Sequence, residues 1–241
     1  QQALLDAAAI NGKLLLPAGK RYRATDYVWI HNGIREISGF GASIEFDAAT
    51  AAGLRTVAKG DSRNGQPAAA DQVNNLAIYG VGIDGGDLDG VNIAGLYLWQ
   101  VRNVFVRGCR VSNIQEGTGI ALYHTGVLAD GACSNVVIVD NDVTLTGYPA
   151  STESAYGITL GAVLTFSGSY TDATDQWKGT YVAAAPADPI TTCVVVNNRV
   201  TGGYYSLALT GVVPSTIKGN VRSGNARNLS VQNGSVETVI A

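Results

Sequence analysis

The sequence predicts an all-β protein built as a parallel β-helix, in which short strands coil into stacked rungs. The main observation is a repeat: residues 103–111 (NVFVRGCRV) return as 135–143 (NVVIVDNDV), with apolar residues at matching places. Between the two copies stands a second alternating segment, GIAL from Gly119, which returns as GITL from Gly157. A strand pair that recurs in this way is typical of a solenoid, and the variable spacing disfavours a propeller, which needs a fixed period.

The composition agrees with this fold and excludes several classes of protein. Of 241 residues 15% are charged and 30 are Gly, which favours a β architecture with many turns over a helical bundle. The net charge is −3 and no basic patch stands out, so nucleic acid is not expected as a partner. No apolar run reaches the length of a membrane span and no leader is visible, so no membrane partner is expected.

The first part of the chain is expected to close one end of the solenoid. Residues 1–12 predict a capping helix, because Leu4 and Leu5 lie on one apolar face and Asn-Gly ends the pattern. A cap is needed because the open end of a solenoid exposes apolar core. Residues 13–16 predict a short buried strand, and the polar, Ala-rich residues 47–71 predict a loop.

The remaining sequence continues the repeat with one interruption. Residues 75–83 and 193–200 match the central copies, whereas residues 163–190 break the period and predict an insertion between rungs. Stacking about six such units would bury a continuous column of Val, Ile and Leu. We expect one domain over residues 1–241; because it opens within a helix and ends in a strand-like run, the sequence also suits a fragment of a longer chain.

Asparagine and cysteine positions predict structural roles. Asn141, Asn198 and Asn220 share one register, where inward amides can satisfy turn backbone groups and one another. Three cysteines without regular spacing do not form a disulfide framework, and we expect buried thiols rather than a catalytic one. The cysteines are Cys109, Cys133 and Cys193, and we place the first and last within repeat strands.

Several segments resemble the pectate-lyase-like right-handed parallel β-helix superfamily. They are LLPAGKRY from Leu15, GFGASI from Gly39 and the Asn-Val-x-Val/Ile strands. With the N-terminal helix, the likeness is greatest to bacteriophage tailspike depolymerases and bacterial polysaccharide lyases. The resemblance implies a right-handed single-stranded β-helix, a polysaccharide partner, no cofactor, and an extracellular or virion-tail location. It does not fix the activity, because the superfamily includes lyases, glycoside hydrolases, epimerases and adhesins.

An aromatic flank is the first candidate for substrate binding. Alternation predicts that Tyr97, Trp99 and Tyr123 face outwards on neighbouring rungs, with His124 beside them. Stacked aromatic rings are platforms for the apolar faces of sugars. The alternative is that these rings pack under the insertion or a neighbouring subunit. In the first case the insertion, with Trp177, would form a wall of the groove.

Two catalytic chemistries compete. His124 as base and Tyr123 as acid would suit β-elimination from a uronic acid, although a solvated turn histidine is the simpler interpretation. The segment around His124 lacks the acid and the proline of the Asp-Pro-His motif of mannuronan epimerases, its nearest likeness. Glu116 and Glu153 occupy equivalent turns of successive rungs, at the separation that glycosidases use.

Charged residues outside these pairs have simpler interpretations. Asp84, Asp87 and Asp89 share one Gly-rich turn that could bind calcium, but they lack the EF-hand spacing, so we expect a solvated turn and no metal site. Arg107 and Arg110 could neutralise a uronate carboxylate or lie on the solvent face, and we assign Arg107 to substrate binding.

An outward apolar stripe indicates a covered face. Val137, Val139, Val194 and Val196 alternate with core positions, so they should face outwards. The cover is either the insertion or neighbouring subunits, and the resemblance to tailspikes implies a homotrimer. The sequence therefore predicts a β-helix that binds and cleaves a cell-surface or extracellular polysaccharide. The alternative is a non-catalytic polysaccharide-binding or structural β-helix.

Overall fold

The computed structural model shows a right-handed parallel β-helix with one helix, α1 (Gln2–Ala9), at its N-terminal end. The structure describes residues 1–49, 52–57, 72–88, 91–125, 133–146, 155–163, 165–167, 180–182, 190–210, 212–213, 215–224 and 227–232. The strands are β1 (Lys13–Leu15), β2 (Arg21–Ala24), β3 (Val28–Ile30), β4 (Glu36–Ser38), β5 (Ser43–Phe46), β6 (Ala52–Thr56), β7 (Asn74–Tyr79), β8 (Gly82–Asp84), β9 (Asn92–Trp99), β10 (Arg102–Arg107), β11 (Arg110–Ile114), β12 (Glu116–Thr125), β13 (Ser134–Val139), β14 (Asp142–Leu145), β15 (Ala155–Val163), β16 (Thr165–Ser167), β17 (Thr180–Val182), β18 (Ile190–Thr191), β19 (Val194–Val196), β20 (Arg199–Thr201), β21 (Tyr205–Thr210), β22 (Val212–Val213), β23 (Thr216–Lys218), β24 (Val221–Ser223) and β25 (Arg227–Gln232).

The strands form three parallel sheets, to which each rung contributes in turn. Sheet A has the order β1-β4-β7-β10-β13-β18-β22, with β19 and β23 continuing its last rungs. Sheet B has the order β2-β5-β8-β11-β14-β20-β24, and sheet C has the order β3-β6-β9-β12-β15-β21-β25. Within the described residues, the seven strands in each of sheets B and C make seven rungs, where the sequence suggested about six.

Strand β6 corrects the predicted loop over residues 47–71. It lies within that segment and pairs in parallel with β3 and β9. All five of its residues are buried, so the sequence shows none of the alternation that identifies a half-exposed strand. Its Ala, Gly and Arg residues also have low strand propensity. The second strand of sheet C therefore could not be recognised from the sequence.

The core is a column of aliphatic side chains in the predicted register. Val104 of β10 lies opposite Leu76 on one side and Val136 on the other, and Val106 lies opposite Ile78 and Ile138. All six side chains are buried. The repeat is therefore confirmed as the spacing of rungs, with each strand bonded to its copies before and after it.

A ladder of asparagine amides runs along the turn between sheets A and B. Asn141 donates from Nδ2 to Oδ1 of Asn198 (2.9 Å), and Asn198 donates in the same way to Asn220 (2.9 Å). Each acceptor oxygen also receives the backbone N–H of the previous asparagine. The Asn141 oxygen accepts the N–H of Cys109, which occupies the same position one rung earlier. This confirms the predicted ladder.

Gly119 is required where sheet C approaches sheet B. A Cβ placed on it would lie 2.4 Å from Cγ1 of Val143 and 2.8 Å from the carbonyl oxygen of Gly157. Real Cβ atoms do not come so close to other atoms, so the Gly that opens each GI-x-L segment is a packing requirement.

The first rung combines the cap with an edge strand. Leu4 and Ala7 of α1 are buried, which confirms the capping helix, but Leu5 of the predicted apolar face is 39% exposed. The prediction of a buried first strand is wrong: β1 pairs with β4 alone, and Leu15 is 70% exposed while Leu16 is buried. The difference arises because β1 lies at the edge of sheet A, where no earlier rung covers it.

The predicted insertion lies between β15, which ends at Val163, and β18, which begins at Ile190. Its described part is a hairpin in which β16 and β17 pair antiparallel, apart from the three main sheets. Trp177 lies outside the described residues.

Candidate functional site

Two rings of the predicted aromatic flank, Tyr97 and Trp99, pack together on the outward face of sheet C. Tyr97 lies opposite Ala121, and Trp99 lies opposite Tyr123, with His124 the next residue of β12. The rings of Tyr97 and Trp99 are stacked, with centroids 5.4 Å apart. They pack with Ala94 and Ala121 in a cluster separate from the inner core, which shows that they face outwards from the column.

These two rings are nevertheless covered. Tyr97 is 8% exposed and Trp99 is 2% exposed, and Ala121 beside them is completely buried. The expectation that Tyr97 and Trp99 form an open platform for a sugar ring is therefore wrong, while the predicted cover by the insertion or a neighbouring subunit stays a prediction. Sequence alternation indicates which way a strand residue points, but it does not show what lies above it.

Arg55 is the centre of this buried cluster, and the sequence did not single it out. It is 3% exposed. Its guanidinium carbon lies 4.7 and 4.9 Å from the ring centroids of Tyr97 and Trp99, and 5.6 Å from those of Tyr27 and Trp29. A cation over several aromatic faces is attracted by their quadrupoles, and burial strengthens the attraction. Arg55 can be placed beside these rings only once β6 is recognised as a strand, because Arg55 of β6 lies opposite Tyr97 of β9.

The catalytic candidates on β12 lie at opposite ends of one strand. Glu116 pairs with Asn92 at the start of β12, within the strand rather than in the predicted turn. His124 lies opposite Ala162 near the end. At about 3.3 Å per residue the eight steps between their backbones span roughly 26 Å. The elimination pair and the carboxylate pair would therefore form two separate centres. Glu153 lies outside the described residues.

Arg107 lies away from the aromatic flank. It ends β10 in sheet A, opposite Tyr79 and Val139, whereas Tyr97 and Trp99 belong to sheet C. Its Nε lies 3.1 Å from Oδ2 of Asp140 in an exposed ion pair. The guanidinium assigned to substrate binding is thus occupied by a neighbouring carboxylate.

The outward face of sheet B holds an open polar groove. Its volume is about 360 Å³, and it crosses β2, β5, β8, β11 and β14. Glu45 and Asp84 are Cα partners on adjacent strands, so their side chains project from the same face. The side chains that contribute charge or hydrogen bonds include Arg21, Glu45, Asp84, Arg110, Asn113 and Thr144.

Two of the four charged side chains that line this groove pair with each other. Arg21 lies 3.2 Å from Oε1 of Glu45. Asp84 accepts hydrogen bonds from Nδ2 of Asn113 and from the N–H of Gly86, both at 2.9 Å. The arrangement fixes the carboxylates in place while leaving the hydroxyls of the groove available to a polar ligand.

Cysteine chemistry does not contribute to a site. All three thiols are free and buried, as predicted. Burial raises the pKa of Cys109 to about 11 and the pKa of both Cys133 and Cys193 to about 12. These thiols are therefore protonated at neutral pH, and a thiolate nucleophile is not available. Cys109 and Cys193 lie in the turns just before β11 and β19, a correction to their predicted place within strands.

The described residues offer no metal cluster and no membrane span. Nowhere in this part of the chain do three His, Cys, Asp or Glu side chains come together as ligands. Asp87 accepts a hydrogen bond from Thr146, and Asp89 lies outside the described ranges. No described helix has the length and apolar character needed to cross a bilayer.

Comparison with protein-family models, with curated proteins and with solved structures finds no significant match to this chain.

Proposed function

We propose that the chain is a carbohydrate-active β-helix of the pectate-lyase-like type, which binds an extracellular or cell-surface polysaccharide along sheet B. The groove on the outward face of that sheet is the observation that carries the proposal. Sugars present many hydroxyls, and the groove offers carboxylates, guanidinium groups, an amide and hydroxyls on one open surface. Seven strands about 4.8 Å apart extend roughly 29 Å, which suits an extended polymer rather than a single small molecule.

Cleavage is the second half of the proposal, with two candidate pairs of residues. His124 with Tyr123 would carry out β-elimination, and Glu116 with Glu153 would carry out hydrolysis. A polymer bound to the solenoid would extend to one of these centres. The location that fits this activity is extracellular or on a virion tail.

Incubation with a panel of neutral and uronate polysaccharides tests both halves. We expect retention of at least one polymer and its cleavage. Rising ultraviolet absorbance would identify elimination, and new reducing ends without it would identify hydrolysis. We expect elimination to be abolished by His124→Ala alone. Hydrolysis should be abolished by Glu116→Ala or by Glu153→Ala. Failure to bind any polymer would contradict the proposal.

Binding without cleavage would favour the alternative, a non-catalytic polysaccharide-binding or structural β-helix. The burial of Tyr97 and Trp99 favours this alternative, because these two rings are not open to a sugar.

Assembly into a homotrimer is proposed through the outward face of sheet A. Phe105, Val137 and Val194 are Cα partners on successive rungs, and each is only partly buried. A row of apolar side chains across several rungs favours contact with further copies of the chain. Sedimentation at micromolar concentration is expected to show a trimer, which Val137→Lys should dissociate. A monomeric wild-type chain would contradict this assignment.

A further inference from the structure

We propose that Arg110 forms an anion subsite in the sheet B groove, where it recognises an acidic group of the bound polysaccharide. This inference rests on the proposed function and narrows it to polymers that carry a carboxylate, sulfate or phosphate group. The guanidinium group suits these anions because it can donate two parallel hydrogen bonds to a pair of oxygens.

The first argument is that Arg110 differs from the other arginines of this sheet. Arg21 is paired with Glu45, Arg23 with Asp47, and Arg199 with Asp142, while Arg222 has contacts of its own. Within the described residues, the guanidinium of Arg110, an exposed residue, has neither a hydrogen bond nor an ion pair. It is therefore a cation on the face of an open groove with no carboxylate to neutralise it.

The carboxylate opposite Arg110 on the next rung is held by another residue. Asp142 is the Cα partner of Arg110 on the next rung. Both of its oxygens contact Arg199 instead, with Nη2 to Oδ2 at 2.6 Å and Nε to Oδ1 at 3.3 Å. This two-pronged contact occupies Asp142, so Asp142 does not pair with Arg110.

The second argument is the space beside Arg110. Its Cα partner on the preceding rung is Gly82, which has no side chain, and Ser43 follows on the rung before that. A Cβ on Gly82 would lie 2.9 Å from the Ala42 oxygen and 3.0 Å from the Ser43 Cβ, so close packing of the rungs requires Gly there. The result is a depression next to the guanidinium, with the Ser43 and Ser112 side chains on its lining.

The carboxylates in the groove make this subsite selective. Glu45 is neutralised by Arg21, whereas Asp84 is held by neutral donors and keeps its negative charge. Asp84 lies opposite Ser112, two residues along β11 from Arg110. An anionic group is therefore attracted at Arg110 and repelled at Asp84, where a sugar hydroxyl is the better partner.

Binding measurements on matched polymers test the subsite. The probes are alginate with its carboxyl-reduced neutral form, and dextran sulfate with dextran, so that carboxylate and sulfate recognition are distinguished. We expect the wild-type chain to prefer an acidic form by about tenfold or more. Arg110→Gln should remove that preference without weakening binding of the neutral form, and Arg110→Lys should retain part of it.

Arg23→Gln is the matched control, because Arg23 lies on the same sheet, is already paired with Asp47, and neither residue lines the groove. It should keep the wild-type preference. An Arg110→Gln variant that retains the preference, or an Arg23→Gln variant that loses it equally, would overturn the subsite. Equal binding of acidic and neutral forms by the wild type would refute the subsite while leaving the proposed function intact. Binding of neither form would refute both.

Discussion

Replacing Asn198 with Ala is expected to lower the free energy of unfolding by about 4 kcal/mol, because it leaves about two buried polar groups without partners. The side chain of Asn198 is completely buried. Its Oδ1 accepts the backbone N–H of Asn141 at 3.0 Å, and its Nδ2 donates to the carbonyl oxygen of Ile138 at 2.9 Å. Water cannot replace these bonds inside the turn, so the loss should appear as a lower urea midpoint.

Asn103→Gly is the control for this prediction. Asn103 also bonds to asparagines of adjacent rungs, donating to Asn74 and accepting from Asn135, but these side chains are exposed. Its φ of 53° suits Gly, so the change removes the hydrogen bonds without straining the backbone. We expect a loss of less than about 1 kcal/mol. Equal effects at the two positions would show that the buried ladder does not stabilise the fold.

Replacing Arg55 with Ala is expected to lower the free energy of unfolding by about 3 kcal/mol, through a cavity and lost cation–π contacts. Four aromatic rings lie within 5.6 Å of its guanidinium carbon. Removal should leave Trp29 and Trp99 less tightly packed, so their fluorescence should shift towards longer wavelength in the folded state.

Arg107→Ala is the matched arginine control. Its guanidinium is exposed and forms one surface ion pair, so the expected loss is less than about 1 kcal/mol. Arg55→Met should recover part of the Arg55→Ala loss, because Met fills the space without the charge. An Arg55→Ala variant as stable as the wild type would show that the outer cluster of sheet C is not important for stability.

The fold followed from the sequence wherever one side of a strand was exposed. The register of Val104 with Val136, and the Asn141 ladder, could be predicted because alternation and repetition both point to the same column. Strand β6 could not, since burial on both sides removes alternation. Arg55 was missed for the same reason, because its partners become visible only after β6 is placed.

The residues of the candidate site were harder to predict from the sequence, because residues that are close together in the chain lie on different sheets. Arg107 and Arg110 are three residues apart, yet a turn places one on sheet A and the other on sheet B. Nothing in the sequence shows that Asp140 pairs with Arg107, or that Asp142 pairs with Arg199. Likewise, Glu45 and Asp84 are far apart in the chain but lie side by side on adjacent strands.

Footprinting of the chain with and without a bound polysaccharide tests the central claim most directly. Hydroxyl radicals modify exposed side chains, so bound polymer should protect the outward residues of sheet B from oxidation. We predict protection in peptides that contain Arg21–Ala24, Ser43–Phe46 and Arg110–Ile114, with no change at Phe105 or Val137 of sheet A. Protection confined to sheet A or sheet C, with the sheet B peptides unchanged, would contradict the account.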